Sequence, residues 1–291
     1  MQIDQHKIGA DLIHEVATLK NWVSEVRSKG ASLGFVPTMG ALHEGHVSLV
    51  RQALQENDEV LVSIFVNPTQ FNNSNDLATY PRTLEQDLAM LSDAGCRCVF
   101  SPSVDEVYPE PAPDEKRVYD LGGLDLYMEG AFRPGHFQGV AMVLERFFRW
   151  ISPDRAYFGK KDFQQLKIVQ HLVSQLELPI TIVPVDTIRD ADGLAKSSRN
   201  RLLSDEQRKD AAVLPEILHA LPARVAAESP EEMKMYVSGQ LKDGPVRLQY
   251  FEIVDADTLR PVSSWSQARH TQGCLAAYLG DIRLIDNISL T

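Results

Sequence analysis

The chain has 291 residues, of which 44% are hydrophobic and 24% charged, a composition that fits a globular fold and excludes a disordered one. The formal net charge of -11 argues against nucleic acid as a partner, because proteins that bind a phosphate backbone present basic surfaces. No apolar run has transmembrane length, and the first residues lack the features of a signal peptide, so we expect a cytoplasmic protein without a membrane partner.

Two histidines, His43 and His46, lie where the first predicted strand gives way to a helix. The apolar run at 33–36 predicts the strand, and an apolar stripe at i, i+3 and i+7 predicts the helix: Val47, Val50 and Leu54. A helix N-terminus presents unpaired backbone N–H groups and the positive end of the helix dipole, which attract anionic oxygen. The position of the two histidines therefore predicts a site for a nucleotide phosphate.

Spacing argues against three other motifs in this segment. A P-loop needs lysine and then serine or threonine after its second glycine, but Gly45 is followed by His46 and Val47. The G-x-G of a dinucleotide fingerprint occurs nowhere in the chain, and a helical zinc motif needs histidines at i and i+4 rather than i and i+3. One alternative stays open, namely that both histidines only cap the helix.

The following segments predict a parallel sheet covered by helices. Residues 60–66 are nearly continuously apolar and rich in β-branched side chains, which is typical of a strand buried on both faces. Apolar helical spacing marks residues 137–151 and a second helix from about Asp162. Strand and helix patterns alternate over roughly the first 180 residues and so predict a doubly wound α/β domain.

Three cysteines interrupt this pattern without forming a disulfide framework. Cys96, Cys98 and Cys274 are an odd number, and we predict that all three are buried, small apolar residues. Cys96 and Cys98 should share one face of a strand, because side chains two residues apart point the same way.

Beyond Thr187 the pattern changes to a mixed one. Residues 204–207 and 229–232 have the sequence of capping boxes that open helices. Residues 246–254 and 274–279 predict strands, joined through a turn at 255–259. We therefore predict a smaller α+β domain at 185–291, after an α/β domain at 1–184.

Four polar motifs each follow a predicted strand: residues 37–46, 67–71, 158–165 and 192–200. In open parallel sheets ligands bind at the carboxyl ends of strands, so we expect these motifs to share one cleft. Each also has a purely structural interpretation: a turn at Asn67, solvated side chains at Lys160 and Lys161, a helix cap at Asp162, and a loop at 197–199.

Together the four motifs resemble the pantothenate synthetase family, whose members are ATP-dependent ligases that join pantoate to β-alanine. The resemblance covers most of the chain and includes further motifs: Tyr80-Pro-Arg-Thr83, Arg133-Pro-Gly-His-Phe-Gln-Gly139, Ser198-Arg-Asn200 and Leu279-Gly-Asp-Ile-Arg-Leu-Ile-Asp286. It implies a Rossmann-like nucleotidyltransferase domain, a smaller C-terminal lid domain and a cytoplasmic homodimer. In the family reaction, pantoate attacks the α-phosphorus of ATP, and β-alanine then attacks the pantoyl adenylate.

The resemblance also implies the site residues. Those for ATP are Met39, Gly40, Ala41, Leu42, His43, Glu44, Gly45, His46, Gly159, Lys160, Lys161, Asp162, Ile188, Lys196, Ser197, Ser198 and Arg199. Catalytic roles fall to His43, His46, Lys161 and Arg199, with His46 as the family's proton donor, Lys161 suited to phosphate charge and Asp162 to the ribose. Gln70 and Gln165 would hold pantoate, and Gln70 would also lie near β-alanine.

Three positions depart from the family pattern. Lys160 stands where glutamate is usual, Thr69 where methionine is common, and Lys196 where methionine or leucine is frequent. The two lysines could strengthen phosphate binding or point to solvent. Mg²⁺ is expected because it bridges phosphates in such transfers. Asp87 is a candidate for contacting Mg²⁺, with an exposed helical acid as the alternative.

Two other functions are compatible with the sequence. The same scaffold could adenylate another small carboxylate, since pocket details decide which acid binds. Alternatively, the chain could be a catalytically silent nucleotide-binding regulator. The cationic loop at 196–199 favours an enzyme, because it suits the charge of a leaving group.

Overall fold

The computed structural model describes residues 11–72, 74–109 and 117–291, so the first residues, on which the signal-peptide prediction rests, lie outside it. The chain comprises two compact units. Unit 1 is Met1–Leu121, Arg133–Gly159 and Ile168–Val185, and unit 2 is Gly122–Phe132, Lys160–Lys167 and Asp186–Thr291. The single boundary between 184 and 185 stays a prediction, since unit 2 also takes two segments that precede residue 184. Every described helix is too short or too polar to cross a membrane.

The elements are named in chain order over the described residues. The strands are β1 (Asp11–Ile13), β2 (Leu33–Thr38), β3 (Glu59–Ile64), β4 (Cys98–Phe100), β5 (Arg155–Gly159), β6 (Thr181–Val185), β7 (Val246–Asp255), β8 (Thr271–Leu279) and β9 (Ile282–Ser289). The helices are α1 (Val16–Ser28), α2 (Glu44–Glu56), α3 (Ser74–Thr79), α4 (Leu84–Asp93), α5 (Val104–Val107), α6 (Met128–Phe132), α7 (His136–Ile151), α8 (Phe163–Gln175), α9 (Asp205–Ala211), α10 (Val213–Ala220) and α11 (Pro230–Leu241).

Unit 1 contains a parallel sheet in the order β1-β4-β3-β2-β5-β6. The chain extends this sheet from β2 through β3 to β4, and then continues on the other side of β2 with β5 and β6. The strand order thus reverses beside β2, where doubly wound folds bind their ligands. The predicted α/β class is confirmed, and the segment after β2 holds the histidine pair.

The strongest sequence patterns correspond to real elements in unit 1. Residues 60–66 form β3 at Glu59–Ile64, and residues 137–151 form α7 at His136–Ile151. The core includes β2 and α7 side chains that are fully or almost fully buried: Leu33, Phe35, Val36, Phe147 and Phe148. Phe147 and Phe148 both contact the Phe35 ring edge-on, which fixes α7 against β2.

All three cysteines are buried and free, as predicted. Burial raises the pKa of Cys96 to about 11, so this thiol stays protonated at neutral pH. The prediction that Cys96 and Cys98 lie in one strand is wrong, because β4 begins at Cys98. Gly95 has a φ of 90° and bends the chain out of α4, which leaves Cys96 in the turn between helix and strand.

Unit 2 contains an antiparallel sheet in the order β7-β8-β9, with α9, α10 and α11 in the same unit. Both predicted capping boxes are present, at Ser204 with Gln207 and at Ser229 with Glu232. The predicted strand at 274–279 begins earlier, at Thr271, and the connection from β7 runs over residues 256–270 rather than a short turn. An α+β arrangement with a small sheet is thus confirmed for this part of the chain.

Candidate active site

The histidine pair in unit 1 forms a reciprocal cap at the start of α2. His43 is the N-cap residue, and its ring Nδ1 accepts a hydrogen bond from the backbone N–H of Gly45 at 3.1 Å. The ring Nδ1 of His46 accepts in turn from the backbone N–H of His43 at 3.3 Å. The two ring centroids are 4.0 Å apart. The cap therefore fixes the positions of both imidazoles relative to the helix N-terminus.

This cap also decides which ring nitrogen carries the proton. In each neutral imidazole one nitrogen donates and the other accepts, and here Nδ1 of both rings accepts from the backbone. The proton of each ring is therefore on Nε2, which becomes a hydrogen-bond donor. Capping and phosphate binding are thus compatible, since they use different nitrogens of the same ring.

The loop before the cap, Gly40-Ala41-Leu42, is held by a buried carboxylate. Gly40 and Ala41 have φ angles of 79° and 49°, a region that costs energy for alanine. The backbone N–H groups of Ala41 and Leu42 donate to the two oxygens of Asp87 at 2.9 and 2.8 Å, and the Thr83 hydroxyl also donates to Asp87. Asp87 offsets the strain of a loop whose backbone amides face it.

This arrangement corrects one sequence-based interpretation of Asp87 and gives an argument against the other. The side chain is not an exposed helical acid, because Asp87 is only 2% exposed. It is also poorly suited to contact Mg²⁺, since its two oxygens already accept from two backbone N–H groups and a hydroxyl. The sequence pattern does not predict this burial, because α4 is amphipathic. The backbone N–H groups that bind Asp87 belong to residues 45 and 46 positions away in the chain.

Gln70 is a buried glutamine at the end of a short 3₁₀ helix, Pro68–Gln70, that follows β3. Its Oε1 accepts from Asn67 Nδ2 at 3.3 Å, and its Nε2 lies 2.9 Å from the sulfur of Met39. Its backbone carbonyl accepts from Nδ1 of His136 at 2.8 Å. Gln70 thus lies beside Met39, one of the residues assigned to ATP.

Asn67 does more than form a turn. It is 1% exposed, and its Nδ2 also donates to the carbonyl of Gly139 at 3.0 Å. Its Oδ1 accepts from the Tyr108 hydroxyl at 2.8 Å and from Thr69. Burial raises the pKa of Tyr108, which keeps the hydroxyl protonated and able to donate. Thr69, where the family commonly has methionine, therefore works here as an additional donor to Asn67.

The residue Gly139 in α7 has no space for a side chain. A Cβ placed there would lie 2.4 Å from the carbonyl oxygen of Thr69 and 2.7 Å from the backbone nitrogen of Gln70. Because both atoms belong to the backbone, only glycine allows α7 to approach the segment that carries Gln70. Close packing thus explains the last glycine of the motif at 133–139.

In unit 2, residues Lys160–Asp162 form one turn of 3₁₀ helix. The Lys161 side chain is only 16% exposed, and its Nζ lies 3.5 Å from Oδ1 of Asp162. The Lys160 Nζ forms an ion pair with Asp186 at 2.6 Å on the exposed surface. The two lysines, both predicted as phosphate ligands or solvated residues, therefore differ, since Lys161 is enclosed and Lys160 lies at the surface.

The backbone of this turn is held by a residue that the sequence did not single out. The amide nitrogen of Asn287 donates to the carbonyls of Lys160 and Lys161 at 3.0 and 2.7 Å. The neighbouring residue Asp286 accepts two hydrogen bonds from Arg189, at 2.6 and 3.0 Å. The strand β9 therefore anchors two segments that carry predicted ATP residues.

Arg189 begins a tight hairpin that leads to the cationic loop. Lys196 donates its backbone N–H to the carbonyl of Ile188 at 2.9 Å, and Gly193 turns the chain with a φ of 83°. Ile188, predicted to contact ATP, is an exposed apolar side chain.

Lys196 is paired within this hairpin rather than extended into solvent. Its Nζ lies 2.5 Å from Oδ1 of Asp190, and Arg208 binds the other oxygen of the same carboxylate at 2.7 Å. Burial raises the pKa of Asp190, but the hydrogen bonds from Lys196 and Arg208 outweigh burial and lower it overall. In the described structure Lys196 therefore neutralises a carboxylate.

The cationic loop continues as a further 3₁₀ helix, Ser198–Leu202. Ser197 caps this helix, because its hydroxyl accepts from the backbone N–H of Arg199 at 3.3 Å. Ser198 is buried, and Asn200 donates to the carbonyl of Ala195 at 3.0 Å. The loop is thus a defined helical turn with its own cap.

The two glutamines at 164 and 165 have different environments. Gln164 is buried and donates to the carbonyls of Leu124 and Tyr127 at 2.7 and 2.9 Å, while it accepts from the backbone N–H of Glu129. Gln165, predicted to hold pantoate, is half-buried, and its side chain forms no hydrogen bond with the described residues. Gln164 thus has a structural role, and the binding of pantoate by Gln165 stays a prediction.

The predicted residues fall into one group in each unit. Unit 1 contains those at 39–46, Gln70 and Gly159, and unit 2 contains those at 160–162, Gln165, Ile188 and 196–199. In unit 1 the structure brings two of these motifs together, as shown by the contact of Met39 with Gln70. The sequence reasoning missed Asp87 as a loop anchor, Asn287, and the role of Gln164, none of which has a local pattern that marks it.

Comparison with known proteins identifies the family to which the chain is similar. A family model described as pantoate-beta-alanine ligase matches residues 11–289. The pantothenate synthetase of Porphyromonas gingivalis strain W83 is 48% identical over 279 residues, which are 96% of this chain and 98% of that protein.

Solved structures give the same result. The pantothenate synthetase of Thermus thermophilus is 43% identical, with a TM-score of 0.88 over 96% of this chain and 99% of that one. The pantoate-beta-alanine ligase of Francisella tularensis, complexed with beta-gamma ATP and beta-alanine, is 33% identical, with a TM-score of 0.79 over 96% and 97% of the two chains.

Proposed function

The chain belongs to the pantoate-beta-alanine ligase family, and we propose that it makes pantothenate from pantoate, β-alanine and ATP. In the first step a pantoate carboxylate oxygen attacks the α-phosphorus, and pyrophosphate leaves. In the second step the β-alanine amine attacks the acyl carbon of pantoyl adenylate, and AMP leaves. The relative from Francisella tularensis, whose structure was solved with an ATP compound and beta-alanine, supports ATP and β-alanine as substrates.

The observation that carries most weight for the first step is the reciprocal histidine cap. Negative charge increases on the α-phosphate oxygens and on the leaving pyrophosphate, so the site needs positioned donors more than a base. His43 and His46 have their ring protons on Nε2 and are fixed at a helix N-terminus. We therefore assign both to the phosphates, with His46 as the donor at the reacting group.

Positive charge comes from the second group of residues. Lys161 has an enclosed ammonium, and Arg199 belongs to a capped helical turn. A fixed cation stabilises a charged transition state more than a solvated one, because little reorganisation is needed when the charge develops. We propose that Lys161 and Arg199 stabilise the charge on the phosphates, and that Asp162 contacts the ribose.

Pantoate has a carboxylate and hydroxyl groups, and an amide can both donate to and accept from these. The Gln70 amide is held in one orientation by Asn67 and Met39, which suits recognition of one small molecule. We propose that Gln70 and Gln165 bind pantoate, and that Gln70 also lies close to β-alanine.

Mg²⁺ is expected to bind through ATP. Among the described residues, no three histidine, cysteine, aspartate or glutamate side chains are grouped to hold a metal ion. Mg²⁺ usually keeps several waters and binds substrate phosphates together with one or two carboxylates. Such an ion needs no group of three protein ligands and can enter the site with the nucleotide. When bound, the ion would neutralise phosphate charge.

We also propose a cytoplasmic homodimer. Three unpaired, buried cysteines suit a reducing compartment. The dimer rests on the family resemblance alone. A chain of 32.5 kDa should then elute with about twice that mass in light scattering, and a monomeric mass would refute the dimer.

The function is tested with the purified full chain, ATP, Mg²⁺, pantoate and β-alanine. We expect AMP and pyrophosphate in equal amounts, with AMP formation dependent on pantoate. Omitting β-alanine should still allow slow pyrophosphate release, because the adenylate forms first. A panel of other small hydroxy acids serves as the control for specificity. Absence of pantoate-dependent AMP would refute the proposal, and faster turnover of another acid would change the substrate.

A further inference from the structure

The last motif of the resemblance, residues 279–286, has no role in the chemistry proposed so far. It leads into β9, and the next residue, Asn287, is 8% exposed. Its amide nitrogen donates to the carbonyl oxygens of Lys160 at 3.0 Å and of Lys161 at 2.7 Å. One side chain therefore binds two consecutive peptide groups of the turn that contains a proposed catalytic lysine.

The orientation of this amide is fixed at both ends. Carbonyl oxygens only accept hydrogen bonds, so the atom of Asn287 that faces them must be the nitrogen. The amide oxygen accepts from Nε2 of Gln272 at 2.6 Å, and Gln272 is itself only 8% exposed. Since rotation of the Asn287 amide would break three hydrogen bonds at once, one of them buried and two partly buried, the group works as a rigid clamp.

The turn needs such external support. Lys160–Asp162 is a single turn of 3₁₀ helix, a geometry with poor internal hydrogen bonds that is used only in short pieces. Lys161 has a long side chain, and a small change in its backbone direction moves the ammonium by much more. Its Nζ now lies 3.5 Å from Asp162 and is largely enclosed.

We propose that Asn287 is a positioning residue for Lys161, and that it acts on the reaction by fixing the peptide groups that set the direction of the lysine side chain. Asn287 itself contacts no substrate. The inference rests on the proposed function, in which Lys161 stabilises phosphate charge. Displacing a catalytic group by about 1 Å can cost on the order of 10²-fold in rate, so loss of the clamp should affect turnover strongly.

The test is a double-mutant cycle of Asn287→Ala and Lys161→Ala in the full chain, with the rate of pantoate-dependent AMP formation as the readout. Asn287→Ala should lower kcat by about 10- to 100-fold. In the Lys161→Ala background the same change should cost less than about twofold, because the group that Asn287 positions is already absent. If the two losses multiply, Asn287 acts only through general stability, and the proposal is overturned.

Two further variants keep the test decisive. Gln272→Ala leaves Asn287 in place but frees its amide, so we expect a smaller loss that also disappears in the Lys161→Ala background. This variant decides the matter if Asn287→Ala does not fold. Thr271→Val is the matched control, because Thr271 is fully buried in β8 and its hydroxyl bonds Thr291 at 2.9 Å, away from the lysine turn. Thr271→Val should lower thermal stability without lowering kcat.

The outcomes distinguish a failure of the positioning role from a failure of the proposed function. An active wild-type enzyme in which Asn287→Ala and Gln272→Ala turn over within twofold of normal would refute the positioning role alone. A folded wild-type chain that forms no AMP with pantoate would refute the proposed function itself.

Discussion

Replacing Asp87 by asparagine tests whether the loop before the histidine cap must be held in place for ATP to bind. Aspartate and asparagine have nearly the same shape, so the change keeps the packing but removes the negative charge and alters the hydrogen bonding. One amide oxygen can still accept from the backbone N–H of either Ala41 or Leu42. The other N–H would then face the new NH₂ group, and two donors would meet in a buried place.

The size of the effect follows from these contacts. A hydrogen bond to a charged group contributes about 1.5–3 kcal/mol, and leaving a buried donor unsatisfied costs a further amount of about 1–3 kcal/mol, with some overlap between the two. We therefore expect Asp87→Asn to shift the equilibrium between the anchored loop and the released loop towards the released one. The shift should be about 3 kcal/mol, or about 10²-fold. The strained φ of 49° at Ala41 adds to the tendency of the loop to relax.

The assay is the initial rate of pantoate-dependent AMP formation as a function of ATP concentration. Asp87→Asn should raise the KM for ATP at least tenfold, and the protein should remain folded by circular dichroism. Asp93→Asn is the matched control, because Asp93 is the last residue of the same helix and is exposed. A KM for ATP within twofold of wild type in Asp87→Asn would show that the loop needs no such anchor.

Variants at three other positions test the rest of the site and its surroundings. His46→Ala should lower the rate of AMP formation by about 10²-fold or more, as for a lost oxyanion donor, and near-normal turnover would contradict its role. Gly139→Ala should raise the KM for pantoate at least tenfold, because its Cβ would lie 2.4 Å from a backbone oxygen; Gly239→Ala, with open space around it, should not. The pKa of Asp190 is lowered from its ordinary value of 3.8 by its two cationic neighbours, despite burial that raises it. Its contribution to stability should be complete above pH 3.8 and lost as the pH falls below it, so the difference in melting temperature between wild type and Asp190→Asn should shrink there; a constant difference would contradict this.

The sequence predicts those elements whose apolar pattern is long and regular. The helix at 137–151 and the strand at 60–66 both exist, with ends shifted by one or two residues. The strand β9 escapes prediction, because Arg283, Asp286 and Asn287 interrupt its apolar pattern and each contacts a different segment far away in the chain. The division into domains 1–184 and 185–291 stays a prediction.

The prediction of the site from the sequence has a similar limit. The histidine pair can be placed at a strand-to-helix junction because glycines and an apolar stripe mark that junction locally. Its detailed chemistry cannot be predicted, since the proton positions follow from hydrogen bonds that only the folded cap shows. The predicted roles of Lys161, Arg199 and Gln165 likewise rest on the resemblance, and they stay predictions until the variants are measured.

Asp87 and Asn287 share a property that explains why sequence reasoning missed them. Each is a polar residue in an amphipathic element, where the pattern alone predicts an exposed side chain, and each is in fact buried with partners more than forty residues away. A buried polar group must be hydrogen-bonded, and here the partners are backbone groups of two segments that carry proposed catalytic residues. We expect such residues to remove conformational freedom from a proposed catalytic segment without contacting the substrate. Their loss should therefore reduce turnover or ATP binding at temperatures well below the melting transition, whereas the loss of an ordinary core residue such as Leu88 should act mainly through stability.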